Sequence, residues 1–296
     1  MSQPADGMTF ELGDEQNLVR EQVRRFAEER IRPGLEERER EHRFPEEIVA
    51  EMAELGLLGM MIPEAYGGAG SDVLTYALAV EELARVCPST AVTMSVSNSV
   101  CAWPIAQFGS EELKQRTLPG LAAGKLGGFG LTEPGAGSDP GGMKTTARRD
   151  GDFWVLDGEK AWITNAGFAA WYVVLARTDP AAGKRGISAL LVPADAPGFA
   201  VGKPEEKMGL RASRTAAISF NACRIPADHL LGEEGQGLKI ALATLDHSRV
   251  GIAAQALGIH QRALELAVDH DFKAIPNLMS SDSSDYAGNP ALKLPI

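Results

Sequence analysis

The chain has 296 residues, of which 44% are hydrophobic, and a formal net charge of -11. This length is sufficient for two or three modest domains with a hydrophobic core. An acidic chain without a basic face is not expected to bind nucleic acid, and no run of about eighteen apolar residues predicts a membrane span. The cysteines at 87, 101 and 223 have neither metal nor disulfide spacing, so they are predicted to be buried hydrophobes. The N-terminus has no signal-peptide pattern, and a cytoplasmic location is expected.

Residues 1–125 are predicted to form an all-helical domain. Apolar residues recur at helical spacing from Asp14 to Ile31, and Asp72, Pro88 and Ser110 are suited to begin further helices. The small residues from 91 to 102 indicate either an internal cavity or tight helix packing.

Residues 126–232 have the pattern of short strands separated by Pro and Gly. The run 153–163 predicts a hairpin that turns at Asp157-Gly158, since Asp-Gly between alternating residues favours a tight turn. Strands without intervening helices predict an antiparallel β-barrel or sandwich.

From residue 233 the helical period returns and continues to about His270. Such a long, apolar helix requires packing partners. Residues 271–296 are rich in Pro, Ser, Asp and Gly, and they are predicted to be an atypical, turn-rich or disordered tail. The expected fold class is therefore α+β with several domains: a helical domain, a β-domain and the first long helix of an incomplete C-terminal bundle.

The most informative motif is the run Phe129 to Asp139, which reads FGLTEPGAGSD. Gly135 and Gly137 allow close approach of the main chain to a ligand, and Thr132 and Ser138 supply hydroxyls. The same run is also compatible with an ordinary Pro-Gly turn, because it matches neither of the usual glycine-rich nucleotide loops.

A second motif, Trp162-Ile163-Thr164-Asn165, places a large ring and a hydroxyl at a strand end. With this pair of motifs, at this separation, the chain resembles the acyl-CoA dehydrogenase family over roughly residues 10–270. The resemblance is closest to the short-chain or butyryl type, and it implies a role in fatty acid β-oxidation. In that family the T-E-P-x-A-G-S-D and W-I-T-N segments hold FAD.

The resemblance implies that FAD accepts a hydride from the β-carbon of an acyl-CoA while a carboxylate removes the α-proton, giving a trans-2-enoyl-CoA. The implied cofactor-binding residues are Phe129, Gly130, Leu131, Thr132, Gly137, Ser138, Trp162, Ile163 and Thr164. A core position for the Trp162 ring is the alternative. The small residues of 91–102 would then line an acyl cavity, if they do not simply pack.

The implied substrate-binding residues are Ser138, Asp246 and Arg249. Asp246 and Arg249 form the family's D-x-x-R element, although one turn apart they are equally suited to an i,i+3 ion pair. The segment 207–213 also resembles a segment of the family. Its cations could contact the CoA phosphates, or the segment could be a solvated strand edge. No metal ligands are expected.

The resemblance breaks after about Asp269. The catalytic Glu of most family members lies far beyond the D-x-x-R element, and a minority carry it inside the element, where this chain has Ser248. No catalytic residue is therefore assigned, and an incomplete, inactive chain is expected. The expected partners are an acyl-CoA and an electron-transfer flavoprotein or similar acceptor, while the tetramer typical of the family is not expected to form. The alternatives are a non-catalytic flavin- or acyl-CoA-binding paralogue that acts by association, and a sugar- or peptide-binding β-domain with helical flanks.

Overall fold

The computed structural model describes residues 11–279, and it describes side chains up to residue 270. Seven α-helices precede the first strand in the described chain. They are α1 (Asp14–Phe26), α2 (Leu35–Glu41), α3 (Glu46–Glu54), α4 (Val73–Val86), α5 (Pro88–Val96), α6 (Trp103–Phe108) and α7 (Glu111–Ala122). Single π-helical segments, Ala27–Ile31 and Ser97–Ala102, extend α1 and α5.

The predicted helix starts are confirmed by their capping hydrogen bonds. The Asp72 carboxylate accepts the Thr75 N–H at 2.6 Å, and the Ser110 hydroxyl accepts the Leu113 N–H at 3.2 Å. Pro88 is the first residue of α5, where its missing N–H has no helical partner to lose.

Eight strands follow and form one sheet. They are β1 (Leu126–Gly130), β2 (Thr146–Asp150), β3 (Phe153–Thr164), β4 (Ala169–Arg177), β5 (Ile187–Pro193), β6 (Phe199–Pro204), β7 (Thr215–Pro226) and β8 (Leu230–Leu231). The sheet order is β6-β7-β3-β2-β4-β5-β8, and β1 pairs with β4. The predicted order of helical domain, β-domain and long helix is confirmed.

The sheet differs from the predicted antiparallel barrel or sandwich in two respects. It is open, with β6 and β8 at its ends. It is also mixed, because β1 and β2 both pair with β4 in the parallel sense. A parallel pair requires a long crossover connection, and the chain between β1 and β4, which contains β2 and β3, is long enough to supply it.

The predicted hairpin at Asp157-Gly158 is wrong, because β3 continues through both residues. The register with β7 shifts there, because two residues of β7, Asn221 and Ala222, lie opposite the single residue Asp157, so the bulge belongs to β7. The Asp157 carboxylate accepts the Ala222 N–H from β7 at 2.8 Å, and Gly158 adopts a φ of 137°. The actual hairpin joins β2 to β3, with Asp150 opposite Phe153.

The last described element is α8 (Gly237–Met279), which packs mainly against α4 and α5 and also contacts β5. It continues past the predicted end at about His270. The rest of the predicted tail, 280–296, lies outside the described residues. No described helix has the length and apolar character needed to cross a membrane.

One hydrophobic cluster joins the helical and β regions: it contains Met52, Tyr76 and Met94 as well as Leu156, Tyr172 and Ile218. All three cysteines are free and buried, as predicted. The helices and the sheet therefore share a core, which fixes the end of β1 against the helices.

Candidate functional site

Trp162 has an unusual conformation in the middle of a strand. Its side chain is 58% exposed and its backbone φ is 57°, a region that bulky residues seldom occupy. Lys160 pairs with Ile218 and Ile163 with Ala216, so β3 carries one extra residue here. This bulge turns the indole towards solvent. An exposed Trp held in strained backbone is typical of a binding site.

The loop after β1 is open where the first motif has its glycines. A Cβ built on Gly135 or Gly137 would meet no atom within 4 Å. Within the described chain, the main-chain N–H groups of Gly137 and Ser138 have no hydrogen-bond acceptor. The hydroxyls of Thr132, Ser138 and Thr164 likewise have no partner among the described residues. Such unpaired donors beside small residues are suited to an anionic or carbonyl-rich ligand.

The structure brings the two motifs together. The Ala161 N–H, which the bulge releases from the β7 ladder, donates to the Thr132 carbonyl at 2.9 Å. Thr132 of the first motif and Trp162 of the second therefore lie on adjacent segments. The pairing could not be deduced from either motif alone, since it depends on the register of β3.

A buried ion pair lies directly beneath this junction. Lys160 is fully buried, and its Nζ donates to the Glu133 carboxylate at 2.7 Å and to the Leu131 carbonyl at 3.3 Å. Burial lowers the Lys160 pKa to about 8, against the opposing effect of Glu133. Burial raises the pKa of Glu133, but hydrogen bonds from the Lys144 N–H, Lys160 and Thr145 lower it below its ordinary value.

Asn165 connects the second motif to the helices. Its φ is 64°, and its side-chain amide donates to the Gly127 carbonyl at 2.9 Å and to the Thr93 carbonyl at 3.2 Å. Gly127 belongs to β1 and Thr93 to α5. The Asn165 side chain therefore positions the end of β3 against both β1 and α5.

The other predicted cofactor residues differ in exposure. Phe129 and Thr164 are half-buried, while Gly130, Leu131 and Ile163 are buried. A Cβ at Gly130 would press against Lys160, Val174 and Ile218. The buried members can therefore offer a ligand only main-chain groups.

The predicted substrate residues Asp246 and Arg249 lie on α8 and are largely exposed. Their side chains form the i,i+3 ion pair at 3.3 Å. Between them, Ser248 is buried and donates its hydroxyl to the Leu245 carbonyl at 3.0 Å. His247 stacks on Trp103 with ring centroids 4.5 Å apart, and burial lowers the pKa of its imidazole.

The segment 207–213 uses its lysine internally. Lys207 donates to the carbonyls of Leu210 and Ser213 and to the Thr215 hydroxyl, and burial lowers its pKa. Glu39 of α2 accepts the Arg211 N–H at 2.8 Å, which ties the segment to the helices. Lys207 is therefore not free for a phosphate. Met94, Cys101 and Ala102 are buried in the core, and no described cleft is lined by residues 91–102.

One described cleft reaches the first motif: it has a volume of about 500 Å³ and is lined by Glu133, Pro134 and Gly135 together with Lys144 and Phe220. Another, of about 620 Å³, lies between α3 and β4. Neither includes Trp162 or Thr132. The candidate site is thus an open face made by the loop and the β3 bulge.

Sequence reasoning missed the Glu133–Lys160 pair, the two-domain contacts of Asn165 and the stacking of His247. The available signal was Lys160 itself, a charge directly before the run Ala161-Trp162-Ile163, with a Glu in the neighbouring motif. A charge at a buried strand position usually has a partner.

Comparison with known proteins identifies three family segments: the acyl-CoA dehydrogenase N-terminal domain over residues 13–125, the middle domain over 128–223 and the C-terminal domain over 235–271. The mouse mitochondrial short-chain specific acyl-CoA dehydrogenase is 51% identical over 263 residues, covering 88% of this chain and 64% of the mouse protein. The chain thus spans just under two thirds of the length of that curated relative.

Solved structures agree in fold. Butyryl-CoA dehydrogenase from Megasphaera elsdenii superposes with a TM-score of 0.86 at 44% identity, covering 88% of this chain and 70% of that one. A structure described as an electron transferring flavoprotein of Acidaminococcus fermentans has a TM-score of 0.87 at 47% identity, covering 88% and 69%. On sequence and on fold, the chain belongs to the acyl-CoA dehydrogenase family.

Proposed function

We propose that this protein is an FAD-dependent dehydrogenase of short-chain acyl-CoA, acting between the α- and β-carbons to give a trans-2-enoyl-CoA. The observation that carries the proposal is the exposed Trp162, held at a φ of 57° beside an open glycine loop. The names of the relatives, short-chain specific acyl-CoA dehydrogenase and butyryl-CoA dehydrogenase, support the substrate class.

The donor set fits FAD. Unpaired hydroxyls at Thr132 and Thr164 flank the bulge that carries Trp162, which matches a flat heterocycle with carbonyl and ring-nitrogen acceptors. The free N–H groups of Gly137 and Ser138 suit a pyrophosphate. Phe129, Gly130, Leu131 and Ile163 would contribute main-chain contacts and packing.

FAD, when bound, supplies the acceptor for the substrate hydride. The chain's own residues have the tasks of orientation and exclusion of water. The Trp162 ring would pack against the heterocycle, and the Thr132 and Thr164 hydroxyls would orient it through hydrogen bonds. Ser138 is proposed to contact both the pyrophosphate and the pantetheine of acyl-CoA.

Asp246 and Arg249 are proposed to contact the CoA portion of the substrate. Arg249 is exposed and held by Asp246, so its guanidinium is oriented and accessible to an amide or phosphate oxygen. Ser248 cannot act as the base near neutral pH, because its buried hydroxyl already donates to the Leu245 carbonyl.

An electron-transfer flavoprotein is the proposed electron acceptor. The description of a solved structure that contains a similar chain names an electron transferring flavoprotein, which supports this choice. The family's tetramer is not proposed for this chain. The exposed apolar side chains of α8, such as Ile252, Leu257 and Leu264, favour irregular association.

The test is reconstitution of the purified chain with FAD, followed by titration with butyryl-CoA. We expect retained flavin absorbance and a spectral change on addition of butyryl-CoA. Failure to bind FAD would reject the proposed function and favour a module that acts by association. Reduction of an artificial electron acceptor would show that a carboxylate of this chain serves as the base.

A further inference from the structure

Glu133 and Lys160 form a buried ion pair that none of the assignments above uses. We propose that this pair is a positioning device that joins the loop 131–145 to the strand of Trp162 and holds both in the geometry that receives the flavin. The identity of the ligand rests on the proposed function, whereas the positioning role of the ion pair rests on the contacts described below.

Two consecutive residues of β3 hold two consecutive carbonyls of the loop. The Lys160 ammonium donates to the Leu131 carbonyl at 3.3 Å, and the Ala161 N–H donates to the Thr132 carbonyl at 2.9 Å. With both carbonyls bound to β3, the loop presents its hydroxyl and its glycine N–H groups outward. Trp162, the next residue of β3, is therefore fixed relative to the same loop.

Glu133 closes the other end of the loop. Its carboxylate accepts the Lys144 N–H at 2.6 Å and the Thr145 N–H at 3.0 Å, in addition to the Lys160 ammonium. The start and the exit of the loop are thus held by one carboxylate. Gly135 and Gly137 lie between these two anchors without a neighbour. The loop is therefore fixed at its ends and open at its centre.

A buried ion pair is a weak source of stability, because desolvation of both charges offsets their attraction. An apolar pair of similar volume would fill the space at comparable stability, but it would not hold three backbone groups in place. Lys160 is 0% exposed and Glu133 is 5% exposed, so neither charge contributes to solubility. The contacts point to a conformational role, and the open end of the loop carries the candidate ligand groups.

The test is the double variant Lys160→Met with Glu133→Gln, measured by urea unfolding, amide hydrogen exchange and FAD titration. We expect stability near that of the unaltered chain, amide exchange across 129–145 faster by at least about tenfold, and FAD affinity weaker by about tenfold or more. If the double variant does not fold, Glu133→Gln alone is measured, since glutamine keeps one acceptor for Lys160.

Glu82→Gln is the matched control. Glu82 is an equally buried carboxylate that pairs with Arg20 and Arg24 in the helical region. This variant is expected to lose stability without faster exchange in 129–145 and without loss of FAD affinity.

The proposal is overturned if the double variant, or Glu133→Gln in its place, keeps the exchange rates and FAD affinity of the unaltered chain. It is also overturned if exchange rises while affinity is unchanged. If the unaltered chain fails to bind FAD, the proposed function fails, and the exchange measurement alone decides whether the pair holds the loop.

Discussion

Replacement of Trp162 by alanine tests the cofactor surface most directly. A tryptophan side chain buries about 150–250 Å² when fully covered. The exposed 58% therefore leaves roughly 90–145 Å² for a ligand. A ring lying on one face would cover about half of this area, worth roughly 1–2 kcal/mol at ~25 cal/mol per Å². We expect the Kd for FAD to rise about 5- to 30-fold.

The assay is a fluorescence titration of the apoprotein with FAD, combined with urea unfolding. Because Trp162 is exposed, the free energy of unfolding should change by no more than about 0.5 kcal/mol. Trp103→Ala is the control: it removes the half-buried ring that stacks on His247. This control should lose about 1–3 kcal/mol of stability without a change in FAD affinity. Equal changes in Kd for the two variants, or no change for Trp162→Ala, would refute the reasoning.

Three further predictions concern α8 and the helical region. Gly258→Ala should lower the free energy of unfolding by about 1–3 kcal/mol, because a Cβ there meets the backbone of Glu81 and Arg85, and this cost exceeds the ~1 kcal/mol gain in helix propensity. The control is Ala253→Gly on the exposed face of α8, which measures helix propensity alone. A Gly258→Ala variant more stable than the unaltered chain would contradict the packing argument. Hydrogen bonds from Arg24 and Arg20 overcome burial and hold the Glu82 pKa below its ordinary 4.5. The stabilisation that the Glu82 carboxylate contributes is therefore complete above its ordinary pKa and is lost as the pH falls through its pKa in the folded chain. When the free energy of unfolding of Glu82→Gln is measured at a series of pH values, it should fall less steeply in acid than that of the unaltered chain. An equally steep fall would show that Glu82 does not contribute to acid unfolding. Finally, light scattering should detect irregular association of the chain, whereas a monodisperse monomer would contradict it. Among the described side chains of α8, the large exposed apolar ones are Leu242, Val250, Ile252, Leu257, Ile259, Leu264, Leu266 and Val268.

The arrangement of regions could be predicted from the sequence because local periodicity carries it. The helix starts at Asp72, Pro88 and Ser110 depend on neighbouring residues, and the structure has them as expected. The period change after Gly127 and the return to helix before α8 are likewise local. The two motifs could also be recognised as a pair, because their residues and their separation along the chain can be read directly from the sequence.

The tertiary structure decided what depends on register and on contacts between distant segments. Asp157-Gly158 has the local character of a hairpin turn, but pairing with β7 on both sides keeps these residues within β3, and a bulge in β7 accommodates them. A second bulge turns Trp162 outward and releases the Ala161 N–H to Thr132, and a shift of one residue would have buried the indole. Lys160 and Glu133 lie 27 positions apart, and only the folded chain brings them together. The sequence alone therefore determined the order of elements and the residue types of the site, while strand register and burial decided which of those residues face a ligand.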